Sequence, residues 1–99
     1  MKIAVASLEK NINSEISSQT GRSPYFLIFE EGELIEVWKN VFSMGGGGAG
    51  LSVAKIMFEK GVNKIIGGNI GENVAQALEN KNITFEERSG RVRDVIQLK

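Results

Sequence analysis

The chain has 99 residues, of which 41% are hydrophobic and 24% charged, and this composition is typical of one globular domain over residues 1–99. Its twelve basic and twelve acidic residues cancel, which argues against nucleic acid or a membrane surface as a partner. Cysteine and histidine are both absent, which excludes a disulfide scaffold and removes the commonest zinc ligands. No apolar run approaches the roughly 20 residues of a membrane helix, and the N-terminal run is too short for a signal peptide, so we expect a cytoplasmic protein.

The first half of the chain predicts a strand, a long loop and a hairpin. The apolar run Ile3–Ala6 is typical of a buried strand. The polar segment Leu8–Gly21 has no clear periodicity and predicts a long loop, and such loops are often functional. Pro24–Glu30 and Glu33–Lys39 predict two strands joined by a turn at Glu31-Gly32. Charges along the second of these strands place it at the edge of the sheet.

The second half of the chain alternates helices and strands. Apolar residues at helical spacing between Leu51 and Phe58 predict a helix, which Gly61 ends. A strand, a helix, a strand and a closing helix follow over Val62–Ile66, Glu72–Lys81, Ile83–Glu86 and Arg91–Leu98. This alternation implies parallel strands joined by right-handed crossovers, to which the hairpin adds one antiparallel strand. The sequence therefore predicts an α/β fold with a mixed five-stranded sheet and helices on both faces.

The most unusual segment is the glycine run Met44-Gly45-Gly46-Gly47-Gly48-Ala49-Gly50, which lies between the hairpin and the first helix. Glycines at a helix N-terminus let backbone N–H groups approach an anion, and the helix dipole favours negative charge there. The run satisfies the dinucleotide-binding pattern only trivially, because the acidic residue expected after the next strand is missing. A flexible connection between hairpin and helix is the alternative interpretation.

Three segments are predicted to meet at the carboxyl edge of the sheet, where ligands of open α/β sheets bind. They are the long loop ending at Gly21-Arg22, the glycine run, and the stretch Gly67–Gly71 before the second helix. Two helix N-termini and Arg22 make this edge electropositive, and Asn69 is either a helix cap or a ligand contact. The predicted cofactor-binding residues are Gly21, Arg22, Met44, Gly45, Gly46, Gly47, Gly48, Ala49, Gly50, Asn69, Ile70 and Gly71.

Catalytic chemistry finds little support in the sequence. Without histidine no serine has an evident activating base, and Asp94 is the single aspartate, so a carboxylate cluster around divalent metals is not indicated. We therefore expect a protein that is not an enzyme.

Several short motifs occur in order along almost the whole chain. They are MKIAVAS at the start, Gly21-Arg22-Ser23-Pro24-Tyr25-Phe26, Gly47-Gly48-Ala49-Gly50, Ile66-Gly67-Gly68-Asn69-Ile70-Gly71 and Gly90-x-Val92. Together they resemble the dinitrogenase iron–molybdenum cofactor biosynthesis family. The resemblance implies a ribonuclease H-like three-layer α/β/α fold and relatives that carry or help assemble iron–sulfur–molybdenum clusters. Relatives often place a histidine before the GGAG segment, where this chain has Met44, so an iron–sulfur or iron–molybdenum cluster would be held here without His or Cys ligands.

The expected function follows from the carboxyl edge and from the resemblance together. We expect a non-enzymatic accessory protein that binds or carries an anionic metal cofactor of the iron–sulfur or molybdenum type, or an oxyanion. Its partners would be that cofactor and a cluster-assembly protein. The alternative is a protein–protein interaction module that uses the edge strand around Trp38 or the long loop.

Overall fold

The computed structural model describes residues 1–44 and 49–98. The strands are β1 (Lys2–Ser7), β2 (Tyr25–Glu30), β3 (Glu33–Lys39), β4 (Lys64–Gly67) and β5 (Thr84–Glu87). The helices are α1 (Ala49–Glu59), α2 (Glu72–Asn80) and the single turn α3 (Val92–Val95), with a 3-10 turn over Thr20–Arg22. None of these helices combines the length and apolar character needed to cross a membrane.

All five strands form one sheet in the order β3-β2-β1-β4-β5. The pairings of β1 with β4 and of β4 with β5 are parallel, as the crossovers through α1 and α2 require. β2 pairs antiparallel with both β1 and β3, so β2 is the one strand that runs opposite to its neighbours, and two of the four pairings are antiparallel. The charged strand β3 lies at the edge, as predicted. The architecture is the expected α/β fold with a mixed five-stranded sheet.

Two apolar cores lie on opposite faces of the sheet, because successive side chains of a strand point to opposite faces. Ala4, Phe26 and Ile28 pack on one face against α1 and α2, together with Met57 and Leu78. On the other face, a smaller cluster joins the sheet to the long loop and to α3. It contains Val5, Ile16, Leu27, Phe29, Ile66, Val92 and Ile96.

The closing helix predicted over Arg91–Leu98 is present but shorter than expected. Only Val92–Val95 are helical, and Ile96 returns to an extended conformation with φ −118° and ψ 133°. Val92, Val95 and Ile96 are β-branched and have low helix propensity, and contacts with the sheet decide their conformation. The helical layer on this face is therefore thin.

The loop over residues 8–21 forms backbone bridges to the sheet and to its neighbouring loops, which the sequence did not predict. Ile16 bridges to Ser7, Glu15 bridges to Arg91, and Gln19 bridges to Asn69. These bridges bring the end of the loop to the carboxyl ends of β1 and β4, which is where the functional site was predicted.

Candidate functional site

The last part of the long loop extends the sheet beyond the ends of β1 and β4. Ser17 N donates to Ala6 O at 3.0 Å, and Ser17 O accepts from Gly68 N at 2.9 Å. Asn69 N then donates to Ser18 O at 2.7 Å, and Thr20 N donates to Asn69 O at 3.1 Å. This ladder holds the following residues, Gly21 and Arg22, at the carboxyl edge.

Gly68 makes this ladder possible because the loop runs very close to its backbone. A Cβ atom on Gly68 would lie 2.5 Å from both Cα and O of Ser18 and 2.6 Å from Ser17 O. Backbone atoms cannot move aside as the end of a long side chain can. The glycine is therefore required for the loop to reach the edge of the sheet.

Asn40 fixes residues 21–23, which we call the Arg22 segment, from the other side. Its side chain is buried, and its Nδ2 donates to Gly21 O at 3.2 Å and to Ser23 O at 2.9 Å. Its Oδ1 accepts from Phe42 N at 3.0 Å, which anchors the turn after β3. Sequence reasoning missed Asn40, and its only signal was a polar residue directly after the edge strand.

The N-terminus of α2 opens at this edge without a side-chain cap. Gly71 is the N-cap residue, with φ 78° and ψ 154°, a conformation that is close to glycine-only. Asn69 lies two residues earlier, and its Oδ1 accepts from Gly71 N at 3.1 Å. Asn69 therefore orders the turn before the helix, and the prediction that it caps the helix was wrong. The first N–H groups of α2 have no intrahelical acceptor, as at any helix start.

A cavity of about 310 Å³ collects these features, and we call it the carboxyl-edge cavity. It lies between the Arg22 segment, the start of α1 and the start of α2. The predicted site residues that line it are Gly21, Arg22, Ala49, Gly50, Asn69, Ile70 and Gly71. The sequence prediction thus brought together residues from three distant segments.

Other residues depart from the predicted set. Met44 is 95% exposed in the turn after β3 and is not among the described lining residues. Gly45, Gly46, Gly47 and Gly48 lie outside the described residues. The lining also includes four residues that sequence reasoning did not select, namely Gln19, Leu51, Asn73 and Val74. Asn73 and Val74 belong to the first turn of α2, so the position of Gly71 could have indicated them.

The donor set of the cavity suits an anion. Two helix N-termini and one guanidinium line it, and none of its described lining residues is acidic. Direct metal coordination fits poorly, because the chain has no cysteine or histidine. In the described part of the chain, no group of three or more acidic residues could hold a metal ion.

Several solved structures are similar to this chain, and three of them serve as examples. The apo form of the orange protein from Desulfovibrio gigas matches with a TM-score of 0.88 and 20% identity, over 99% of this chain and 92% of that one. The protein PH0822 matches with a TM-score of 0.80 and 20% identity, over 100% and 95%. A NifB candidate from Thermotoga, TM1290, a member of the DUF35 family, matches with a TM-score of 0.78 and 27% identity, over 94% and 81%.

These likenesses agree with the fold described above. No curated protein sequence matches the chain. The family model described as dinitrogenase iron-molybdenum cofactor matches residues 1–98, which is nearly the whole sequence. The chain belongs to the dinitrogenase iron-molybdenum cofactor family.

Proposed function

We propose that this protein binds an anionic metal cluster of the iron–sulfur or iron–molybdenum type, or a simple oxyanion, in the carboxyl-edge cavity, and carries it without catalysing a reaction. The observation that supports this most is the convergence of the uncapped start of α2, the start of α1 and Arg22 on one cavity. Membership of the family supports the metal-containing alternative.

Binding would depend on hydrogen bonds to the outer atoms of the cargo. Sulfide or oxide atoms of a cluster accept hydrogen bonds from backbone N–H groups and from the Arg22 guanidinium. Each helix N-terminus contributes roughly 0.3–1 kcal/mol to the binding of an anion. A charge-assisted hydrogen bond from Arg22 contributes roughly 1.5–3 kcal/mol. The metal atoms would keep their own ligands, because the cavity offers neither thiolate nor imidazole.

The absence of catalysis is part of the proposal. Arg22 is the one titratable side chain among the described lining residues, and an arginine does not give up its proton near neutral pH. The cavity therefore offers hydrogen-bond donors but no general base. A carrier needs only such donors.

Amide NMR of the uniformly labelled protein tests the proposal. Sulfate, molybdate and tetrathiomolybdate are titrated at constant ionic strength, which separates specific binding from screening. We expect the amides of Gly50, Leu51 and Asn73 to shift. Tetrathiomolybdate should bind more tightly than molybdate if the cargo is a sulfide-rich cluster. Molybdate should bind more tightly than tetrathiomolybdate if the cargo is an oxyanion.

Two arginine variants make the test specific to the site. Arg22 is exposed, so Arg22→Gln should keep the fold while weakening binding roughly tenfold through loss of a charge-assisted hydrogen bond. Arg93→Gln removes an exposed arginine that does not line the cavity and should leave the affinity unchanged. Equal affinities of the wild type and Arg22→Gln, or no amide shifts at all, would reject the carboxyl-edge site.

Exposed apolar side chains on β3 favour protein–protein interaction as a second candidate function. Leu34, Ile35 and Val37 are 40%, 47% and 39% exposed on this edge strand. Trp38, which the sequence suggested as the contact, instead packs against Phe26. If β3 docks an assembly protein, Val37→Lys should abolish capture of that protein from the host and leave anion binding intact. Unchanged capture would reject this function for β3.

A further inference from the structure

A second cavity of about 530 Å³ lies at the same edge, on the β5 side, and we call it the β5-side cavity. We infer that it is a separate subsite for a tetrahedral oxyanion such as a phosphate group. Its lining includes Ser18, Asn69, Arg88, Ser89, Gly90 and Arg91. This subsite does not depend on the proposed cargo of the carboxyl-edge cavity, because different arginines would bind the oxyanion.

The two cavities lie on opposite sides of the ladder that joins the long loop to the end of β4. Gln19 lines the carboxyl-edge cavity, whereas its neighbour Ser18 lines the β5-side cavity, as the alternation of side chains in an extended segment requires. Asn69 lines both cavities and forms the wall between them. The edge therefore presents two adjacent sites, with separate sets of reporter amides.

Arg91 lines the β5-side cavity and is held by a neutral partner. Its Nη1 donates to the backbone carbonyl of Asn13 at 2.6 Å, and a carbonyl brings no negative charge to the guanidinium. This contact also orients the planar group and leaves further N–H donors for a ligand. Arg91 is thus a fixed donor suited to bidentate contact with an oxyanion.

Arg88 is partly compensated by an acidic neighbour. Its Nη1 lies 2.6 Å from Oε2 of Glu86, whose Oε1 is 2.9 Å from Lys64 Nζ. One carboxylate is therefore shared by two cations, and this group of three side chains keeps a net positive charge.

Two further carboxylates lie near the cavity. Glu15 is part of its lining, so two guanidinium groups face one carboxylate there. Glu87 lines an adjoining cavity that shares Gly68, Asn69, Arg88 and Ser89 with this one, and its Oε2 accepts from Ile70 N at 2.9 Å. Among the lining residues of the β5-side cavity itself, two arginines outnumber one glutamate, and the hydroxyls of Ser18 and Ser89 add neutral donors.

The distribution of arginine gives independent support. The chain has four arginines and eight lysines. Three of the arginines, Arg22, Arg88 and Arg91, line one of the two cavities, and none of the described lining residues is a lysine. Arginine presents a planar fork of donors that can contact an oxyanion bidentately, whereas lysine is a compact point charge. This segregation is the pattern expected of an oxyanion site.

The experiment titrates the labelled protein with inorganic phosphate at constant ionic strength and follows the amides of Ser89 and Gly90. We expect both amides to shift with saturation. Arg91→Gln should weaken this binding roughly tenfold, and Arg88→Gln should also weaken it. Both side chains are exposed, so the dispersion of the amide spectrum should show that each variant is folded.

Arg93→Gln is the matched control, because Arg93 Nη1 also donates to Asn13, at 2.9 Å, but Arg93 does not line the cavity. It should change the phosphate affinity less than twofold. The inference is overturned if Ser89 and Gly90 do not shift, or if Arg93→Gln weakens binding as much as Arg91→Gln. Shifts at Gly50 and Asn73 alone would support the carboxyl-edge cavity and overturn the second subsite. Shifts at Ser89 and Gly90 alone would support the second subsite and count against the carboxyl-edge cavity.

Discussion

A Cβ atom added to Gly50 would lie 2.1 Å from Cγ2 of Val74, so α1 and α2 touch in their first turns at a glycine. The loop meets them at the same point, because a Cβ on Gly21 would lie 3.1 Å from Cα of Gly50. The loop, the start of α1 and the start of α2, which surround the carboxyl-edge cavity, thus contact one another at Gly50. The size of the cavity depends on the absence of a side chain there.

Gly50→Ala should destabilise the protein by about 1–3 kcal/mol, because the added methyl group overpacks this contact. Alanine has higher helix propensity than glycine, by up to about 1 kcal/mol, and this gain offsets part of the cost. In a Val74→Ala background the clashing atom is gone, so the same substitution should be neutral or stabilising. Urea denaturation of the wild type, the two single variants and the double variant measures the coupling free energy between positions 50 and 74. Equal effects in both backgrounds would show that the two residues do not interact.

Much of the fold could be predicted because glycine and charge mark its boundaries. Gly32 and Gly61 both have positive φ, as the predicted hairpin turn and helix end required. The charged residues of β3 correctly placed that strand at the sheet edge. The segment over Val92–Val95 was different, because its apolar spacing suits both a helix and an extended strand. Only contacts with the sheet distinguish the two conformations.

Part of the candidate site could also be predicted from the sequence. A general rule on the carboxyl edge of α/β sheets brought Arg22, Gly50 and Gly71 together. Asn40 could not be found this way, because its role depends on bonds to Gly21 and Ser23, which lie 19 and 17 residues away in sequence. Hydrophobic periodicity relates residues that are close in sequence, so it carries no information on a contact between residues this far apart.

Trp38 provides a test of how the edge strand is held. Its ring lies 6.0 Å from that of Phe26 and 6.4 Å from that of Phe42, measured between centroids. Trp38→Ala should therefore lower the free energy of unfolding by about 2–4 kcal/mol. Val37→Ala is the neighbouring control and should cost less than about 1 kcal/mol, because Val37 is 39% exposed. Thermal or urea denaturation measures both, and a near-zero effect of Trp38→Ala would mean that the ring does not stabilise β3.

Glu86 should make stability depend on pH in the acid range. Its hydrogen bond from Lys64, and then that from Arg88, lowers the pKa of its carboxyl group below the ordinary value. A carboxyl group with a lowered folded-state pKa stabilises the protein above its unfolded-state pKa, and this contribution is lost as the pH falls through the folded-state pKa. Glu86→Gln should thus be less stable than the wild type near neutral pH, with the difference vanishing in acid.

Denaturation at a series of pH values measures the effect of Glu86→Gln. Glu79→Gln is the control, since Glu79 forms no salt bridge within the described part of the chain. A carboxyl titration of Glu86 by NMR with a midpoint at or above the ordinary value would contradict the prediction.

Thr20 carries a buried polar atom that the fold does not satisfy. Its side chain is fully buried, and its Oγ1 has no hydrogen-bond partner among the described residues. The hydroxyl packs against Gly67, where an added Cβ atom would lie 2.1 Å from Oγ1.

An unsatisfied buried hydroxyl is costly, so Thr20→Val should raise the free energy of unfolding by up to about 1 kcal/mol. Thr20→Ser keeps the hydroxyl and deletes the methyl group, so it should lower that free energy by about 1 kcal/mol. If Thr20→Val proves as destabilising as Thr20→Ser in urea denaturation, the hydroxyl has a partner in solution, and a buried water at the base of the ladder becomes the explanation.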